Sequence, residues 1–239
     1  MRLSVVVPVI GDQFNGHVYE EVRAYAGRES EVEVVNLDHG TASIESAYDE
    51  VLVGPDIVRK VEAAARDGAD AVFVACFGDP AVNAARELVD IPVVGGFEPA
   101  VLAAMGVADR FSIVTVLPSV LTMIHRLSAS LGISSRIASV RVIDTPVLEL
   151  ADRAALEQKL LMEMRAAIAQ DDAHALVLGC TGMLGVARSL QAALADEGSF
   201  VPVIDPTAAA ILALEAQVRM GIRHSRRTYL PPPVKARNV

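Results

Sequence analysis

The chain is poor in aromatic residues and in cysteine. Only 4% of its 239 residues are aromatic, tryptophan is absent, and there are two cysteines. So few aromatic side chains argue against a platform on which nucleic-acid bases would stack. Two cysteines in a chain of this length are too few for a disulfide scaffold, and we interpret them as free thiols.

Basic residues and long hydrophobic runs are also scarce. The chain has 21 Lys and Arg against 30 Asp and Glu, a formal net charge of −9. Without a clustered basic face we expect no nucleic-acid partner. No apolar run approaches the roughly 20 residues that span a bilayer, and the Met1–Ser4 start lacks the features of a secretion signal. The sequence therefore predicts a cytoplasmic protein that binds a small molecule and does not contact a membrane.

Hydrophobic residues make up 52% of the chain, and they recur as short apolar runs that alternate with helical patterns. Each half has four such runs, which end at Val9, Leu37, the Cys76 segment and Val94 in the first half and recur in the second. This alternation is typical of parallel α/β sheets. We predict two subdomains related by a pseudo-twofold, each a four-stranded parallel sheet flanked by helices, with the active site in the cleft between them.

The predicted domain boundaries follow from this repeat. The first subdomain is expected to comprise residues 1–98 and 207–221, because the last helix is predicted to cross back onto the first half. The second comprises residues 99–206. Residues 222–239 form a basic tail around Pro231–Pro233, which cannot continue a helix. We interpret the tail as a solvated arm or a contact with a neighbouring subunit in a homo-oligomer, and a protein-docking segment is the alternative.

Several residues carry helix-start signals. Asp79, Asp152 and Asp205 are predicted N-caps, and Pro55 is predicted to occupy the first position of its helix.

The two cysteines occupy equivalent positions in the two halves. Cys76 and Cys180 lie 104 residues apart, and each ends an apolar run and is followed after one residue by a glycine, Gly78 or Gly182. Ligands in parallel α/β sheets bind beyond the carboxyl ends of the strands, where both thiols are expected. A helix predicted directly after each cysteine would lower the thiol pKa.

Two opposed thiols suit one class of reaction. A thiolate on one face of a carbon next to a carbonyl removes a proton, and a thiol on the other face delivers one. Backbone N–H groups of Phe77–Gly78 and Thr181–Gly182 are candidate donors to the developing enolate oxygen, and Thr181 is equally a candidate helix cap. This chemistry requires no metal or cofactor, and the five histidines show no metal-ligand spacing.

Three segments resemble a known family. Ala75–Pro80, Leu178–Met183 and Gly40–Glu45 are similar to the corresponding segments of the Asp/Glu/hydantoin racemase superfamily, and they resemble its hydantoin and allantoin racemase branch more than its glutamate racemase branch. The resemblance implies that Cys76 and Cys180 are the two acid/base thiols. It also implies a pocket formed by the residues that follow the strands, namely Ile10, Ile44, Phe77, Gly78, Val116, Leu117, Thr181 and Gly182.

One departure from the family pattern concerns the substrate. Val7–Ile10 stands where this branch usually has an Asn-Pro-Asn-Thr type segment, so this wall of the predicted substrate pocket is more apolar. The identity of the substrate therefore stays open between a hydantoin, allantoin and another amino-acid derivative. The alternatives are an Asp/Glu racemase, an arylmalonate-type decarboxylase and a two-lobed binding protein without catalysis. The second cysteine argues against the decarboxylase, which resembles this family but characteristically has only one such thiol.

Overall fold

The structure, a computed structural model, describes residues 1–198 and 200–237 and contains two parallel sheets. The first sheet has the order β2-β1-β3-β4 and the second the order β6-β5-β7-β8. The strands are β1 (Arg2–Ile10), β2 (Glu31–Leu37), β3 (Ala71–Val74), β4 (Val93–Val94), β5 (Phe111–Thr115), β6 (Ile137–Val142), β7 (Ala175–Leu178) and β8 (Val203–Ile204).

The two sheets repeat one another strand by strand. In the first, β3 pairs with β1 so that Leu3–Val6 lie opposite Ala71–Val74. In the second, β7 pairs with β5 so that Phe111–Val114 lie opposite Ala175–Leu178. The strands that precede the cysteines therefore hold the same interior place in each sheet. The predicted fold class, two four-stranded parallel sheets with flanking helices, is confirmed.

Eight helices flank the sheets in the described residues. They are α1 (Asn15–Tyr25), α2 (Ala47–Arg66), α3 (Val82–Leu88), α4 (Phe97–Val107), α5 (Leu121–Ser130), α6 (Arg153–Asp171), α7 (Ala187–Ala195) and α8 (Pro206–Met220). Within the part of the chain that the structure describes, none of them combines the length and apolar character needed to cross a membrane.

Two helices cross between the sheets. Helix α4 follows the first sheet, but Phe97 and Val101 are buried in the core of the second half with Phe111. Helix α8 follows the second sheet, and its Ile211 and Leu214 are buried in the core of the first half. The predicted return of the last helix onto the first half is therefore observed, while the boundaries of the two subdomains remain a prediction.

Of the four predicted helix starts, those at Asp152 and Asp205 are confirmed and those at Pro55 and Asp79 are wrong. The Asp152 carboxylate accepts from the Ala155 N–H at 3.1 Å, and that of Asp205 accepts from the Ala208 N–H at 3.0 Å. Pro55, in contrast, lies inside α2, which begins eight residues earlier. The helix is instead capped by Ser46, whose hydroxyl accepts from the Asp49 N–H at 3.2 Å.

The prediction for Asp79 is also wrong, because this residue caps a different helix. Asp79 has a left-handed backbone with φ of 49°, and α3 starts three residues later at Val82. Its carboxylate accepts from the Phe97 N–H at 2.8 Å and from the Glu98 N–H at 3.2 Å. Asp79 therefore satisfies the first turn of α4, which is distant in sequence and adjacent in space.

The beginning of the tail is not a solvated arm. The segment Arg223–Tyr229, which we call the strap, lies against α3 and β4, and Arg226 donates to the Val89 carbonyl at 2.7 Å. Between residues 230 and 237 the chain is exposed apart from the half-buried Pro232, as at Val234. Residues 238 and 239 of the predicted tail lie outside the described residues.

The crossing of α8 predicts a stability contrast within one helix. Leu214 is fully buried in the first half, whereas Leu212 is 53% exposed. We expect Leu214→Ala to lower the free energy of unfolding by about 2–5 kcal/mol, because it leaves a cavity between α8 and the first sheet. Leu212→Ala, the control, is expected to change it by less than about 0.5 kcal/mol in the same urea titration. Equal losses for both variants would contradict the observed packing.

Candidate active site

A cavity lies between the carboxyl ends of the two sheets, and both cysteines line it. Residues that follow β3 and β7 form its two sides, with Cys76 on one and Cys180 on the other. The cavity has a volume of about 70 Å³ and opens to solvent. The cleft in which the sequence predicts a site therefore contains a cavity lined by both thiols.

Each cysteine begins a turn of the same geometry. In residues 76–79, the Cys76 turn, the Asp79 N–H donates to the Cys76 carbonyl at 3.3 Å. In residues 180–183, the Cys180 turn, the Met183 N–H donates to the Cys180 carbonyl at 3.2 Å. The internal repeat thus extends from the strands to the turns that carry the thiols.

The cavity wall is apolar and uncharged. Among the described residues that line it there is no Asp, Glu, Lys, Arg or His, and the polar side chains besides the cysteines are Ser43, Thr115 and Thr181. Both halves supply apolar side chains, which are Val7, Pro8, Val9, Phe14, Val18, Ile44, Ala75, Phe77, Val116, Val120, Met123, Val147 and Leu184. Of the segment Val7–Ile10, which the sequence indicates as an apolar wall, Val7, Pro8 and Val9 line the cavity.

Six of the eight residues predicted from the resemblance to bind substrate line this cavity with the two cysteines. They are Ile44, Phe77, Gly78, Val116, Thr181 and Gly182. The other two do not line it. Ile10 is 38% exposed at the end of β1 and its N–H donates to the Thr41 carbonyl, and Leu117 packs against the core of the second half.

Several lining residues were not among the predicted ones. Phe14 and Leu184 pack together with the core of the first half, and Val120 and Met123 belong to the core of the second. In the sequence each of these residues fits an ordinary helical or loop pattern. Only the approach of the two halves reveals them as cavity residues.

Thr181 links the two cysteine segments directly. Its hydroxyl donates to the Ala75 carbonyl at 2.9 Å, across the cleft. The interpretation of Thr181 as a helix cap is wrong, because α7 begins only at Ala187 and Val186 is its N-cap. A donor at this position instead fixes the distance between the chain before Cys76 and the turn after Cys180.

Backbone N–H groups of the two turns divide into two sets. The Gly182 N–H donates to the Cys180 sulfur at 3.3 Å, and the Gly78 N–H lies close enough to the Cys76 sulfur to lower its pKa. The N–H groups of Phe77 and Thr181 make no hydrogen bond within the described residues. The glycine N–H groups thus stabilise negative charge on sulfur.

The predicted lowering of the thiol pKa values is wrong. Burial raises the pKa of Cys180 to about 11, against the lowering effects of the Gly182 and Met183 N–H groups. Burial raises the pKa of Cys76 further, and the nearby Cys180, Asp79 and Glu50 add to it. No helix begins directly after either cysteine, since α3 and α7 start at Val82 and Ala187, and so the expected helix dipole is too distant to oppose desolvation.

Two polar contacts join the halves beside the cavity. The Glu45 carboxylate accepts from the Val147 N–H at 2.7 Å. Arg126 on α5 pairs at 2.7 Å with Glu50 on α2, whose side chain is 11% exposed. Since each contact connects the two halves, both help to fix the width of the cleft.

These features define an α/β protein of two similar halves with a pair of thiols in one apolar cleft. The profile of the Asp/Glu/hydantoin racemase family matches residues 13–214. A hydantoin racemase of Pseudomonas sp. (strain NS671) is 36% identical over 237 residues, which are 98% of this chain and 93% of that protein.

Solved structures agree with the sequence relatives. Allantoin racemase from Klebsiella pneumoniae superposes with a TM-score of 0.93 at 35% identity, covering 100% of this chain and 96% of that one. Allantoin racemase from Pseudomonas fluorescens gives 0.92 at 30% identity, covering 100% of both chains. The chain belongs to the Asp/Glu/hydantoin racemase family, as its cysteine segments indicated.

The link made by Thr181 predicts a measurable loss of stability. Thr181→Val removes the hydroxyl but keeps the shape of the side chain, so the Ala75 carbonyl loses a donor. We expect the free energy of unfolding to fall by about 1 kcal/mol. Thr181→Ser, which keeps the hydroxyl, is the control in the same denaturant titration. A Val variant as stable as the wild type would show that the contact has no energetic role.

The raised pKa values predict slow thiol chemistry in the folded protein. With a pKa of about 11 for Cys180, its thiolate fraction at pH 8 is roughly a hundredfold below that of an ordinary thiol. Iodoacetamide alkylation of Cys180 should therefore accelerate as the pH rises towards its pKa, and Cys76 should lag behind it. The protein unfolded in urea serves as the control. Folded thiols that react as fast as unfolded ones at pH 8 would contradict the assignment.

Proposed function

We propose that the protein is a cofactor-independent racemase that inverts a carbon between a carbonyl and a nitrogen, using Cys76 and Cys180 as its two acid/base groups. The observation that carries this proposal is the presence of both thiols in one cavity without a charged side chain among its described lining residues. Membership of the Asp/Glu/hydantoin racemase family supports it.

The proposed reaction moves two protons and leaves the enzyme chemically equivalent. The thiolate of one cysteine takes the proton from the substrate carbon, and the C–H electron pair moves onto the carbonyl oxygen as an enolate. The thiol of the other cysteine then protonates the opposite face of that carbon. The first cysteine ends as a thiol and the second as a thiolate, and proton exchange with solvent restores the starting state.

The enolate oxygen needs hydrogen-bond donors at the moment when charge develops. The N–H groups of Phe77 and Thr181 have no acceptor within the described residues and belong to the two cysteine turns. Each preorganised donor of this kind can contribute about 3 kcal/mol to the transition state. We assign them this role, while the N–H groups of Gly78 and Gly182 stabilise the thiolates.

The apolar surroundings affect the two thiols in two ways. Desolvation makes the thiolate scarce, and the same desolvation makes it a stronger base once formed. Cys180 has two N–H groups near its sulfur, from Gly182 and Met183. We therefore assign Cys180 as the cysteine that ionises more readily.

The lining favours a neutral substrate. A free amino acid would bring an ammonium and a carboxylate into a cavity whose described lining residues include no charged partner, and burying unpaired charges is costly. A hydantoin ring avoids this cost because it is uncharged. We propose a hydantoin-type substrate with an apolar substituent, since Phe14, Val18 and Leu184 form an apolar wall for it. A cytoplasmic location and assembly into a homo-oligomer remain predictions from the sequence.

Replacement of either thiol tests the proposed mechanism. We expect Cys76→Ser and Cys180→Ser each to reduce the rate of racemisation of a 5-substituted hydantoin by about 10²–10⁴-fold, because each removes one proton-transfer group. The measurement is the loss of optical rotation, corrected for the reaction without enzyme. Thermal unfolding of both variants controls for folding. A variant that stays folded and racemises at the wild-type rate would exclude its cysteine from the reaction.

A substrate panel tests the role of the apolar wall. We expect a hydantoin with an isobutyl or benzyl substituent to have a higher kcat/KM than allantoin, whose ureido group would lose hydrogen bonds to water in this cavity. Aspartate and glutamate should not racemise. A preference for allantoin, or racemisation of either amino acid, would contradict the proposed substrate class.

A further inference from the structure

The strap contacts the first half through a dense set of polar groups. Arg226 donates to three carbonyls at the end of α3, those of Arg86, Glu87 and Val89, at 2.7–3.0 Å. It also pairs with Asp90 at 2.9 Å. The last carbonyls of a helix have no partner inside the helix, and a cation is favourable there. Arg226 therefore completes the C-terminus of α3.

The strap also covers the open edge of the first sheet. Strand β4 is the edge strand, and the Val93 N–H donates to His224 Nε2 at 2.7 Å. Burial lowers the pKa of His224 to about 4, so its ring is neutral near pH 7 and can accept this hydrogen bond. The Val93 N–H, which an edge strand would otherwise leave unpaired, is thereby satisfied by the strap.

Arg86 connects the strap to the interior. It is 5% exposed, and its guanidinium donates to the Tyr229 hydroxyl at 3.0 Å and to the Val93 carbonyl at 2.9 Å. It also forms an ion pair with Glu98 at 2.7 Å. A charge this deeply buried depends on all of its partners, so loss of a strap contact is expected to affect the Glu98 contact.

Glu98 contacts the Cys76 turn through Asp79. Its N–H donates to the Asp79 carboxylate at 3.2 Å, and Asp79 closes the turn through its own N–H to the Cys76 carbonyl. That carbonyl also accepts from the Gly96 N–H at 3.0 Å. A Cβ at Gly95 would overlap the Asp79 carboxylate, so the packing leaves little room for the turn to shift while these contacts persist.

We propose that the strap, residues Arg223–Tyr229, holds the Cys76 turn in place through Arg86, Glu98 and Asp79. Arg226 and Tyr229 are thus positioning residues for Cys76, although neither lines the cavity. The hydrogen bonds of the strap go to α3, β4 and Asp90, and within the described residues none reaches the Cys180 turn, which is held instead by the Thr181 contact with Ala75. The catalytic meaning of this inference rests on the proposed function, whereas the mechanical link between strap and turn does not.

The test compares the two thiols within one molecule. We expect Arg226→Ala to raise the alkylation rate of Cys76 by about tenfold, which corresponds to about 1.4 kcal/mol, while the rate of Cys180 stays at its wild-type value. Peptide mass spectrometry of the full-length protein after a timed iodoacetamide pulse gives both rates. Arg227→Ala is the matched control, because Arg227 lies on the same segment with an exposed side chain, and it should change neither rate.

A second variant keeps the test decisive if Arg226→Ala fails to fold. Tyr229→Phe keeps the ring that lies 5.5 Å from the Arg86 guanidinium and removes only the hydroxyl, so a smaller rise confined to Cys76 is expected. Faster alkylation of both thiols, or of neither, would overturn the proposed link. These rates need no substrate, so they are informative even if no hydantoin is racemised.

Activity measurements then test whether the link matters for catalysis. For a hydantoin that the wild type racemises, the variants should lower kcat and leave KM unchanged, because the strap does not contact the cavity. A selective rise at Cys76 with unchanged kcat would show that the strap holds the turn but does not position it for the reaction.

Discussion

The close approach of the two cysteine turns is the contact on which the rest of the structure depends. Thr181 donates from one side of the cleft to the Ala75 carbonyl on the other, and a Cβ at Gly96 would lie 2.9 Å from the Thr181 methyl group. The halves can meet so closely because α4 and α8 each pack on the opposite sheet. The distance between the two thiols is thus set by packing and hydrogen bonds in both halves together.

The absence of charge from the described lining residues determines the proposed chemistry. An apolar cavity raises the pKa values of both thiols, so the proposed base is scarce but strong when it forms. The same cavity disfavours a charged amino acid and accepts a neutral ring. Proton transfer and substrate preference therefore share one physical cause, the low polarity of the wall formed by Val7–Val9 and the residues opposite.

Most of the fold was predictable from the sequence, and most of the fine structure of the site was not. Apolar runs that end at equivalent cysteines identify two parallel sheets because that pattern depends only on burial along each strand. Asp79 was misassigned because its partners Phe97 and Glu98 are distant in sequence. The thiol pKa values were misjudged for a related reason, since desolvation depends on side chains such as Met123 and Leu184 that only the folded structure brings to the cavity.

The central claim is that two thiols act on opposite faces of one substrate carbon. It is tested most directly by starting with one enantiomer of a hydantoin in deuterium oxide and measuring the isotope at the inverted carbon during the first turnovers. Because the protonating thiol has exchanged with solvent, we expect the product enantiomer to be deuterated and the recovered substrate to keep its hydrogen. Equal deuterium in both enantiomers at early times would indicate a single base on one face and would contradict the account.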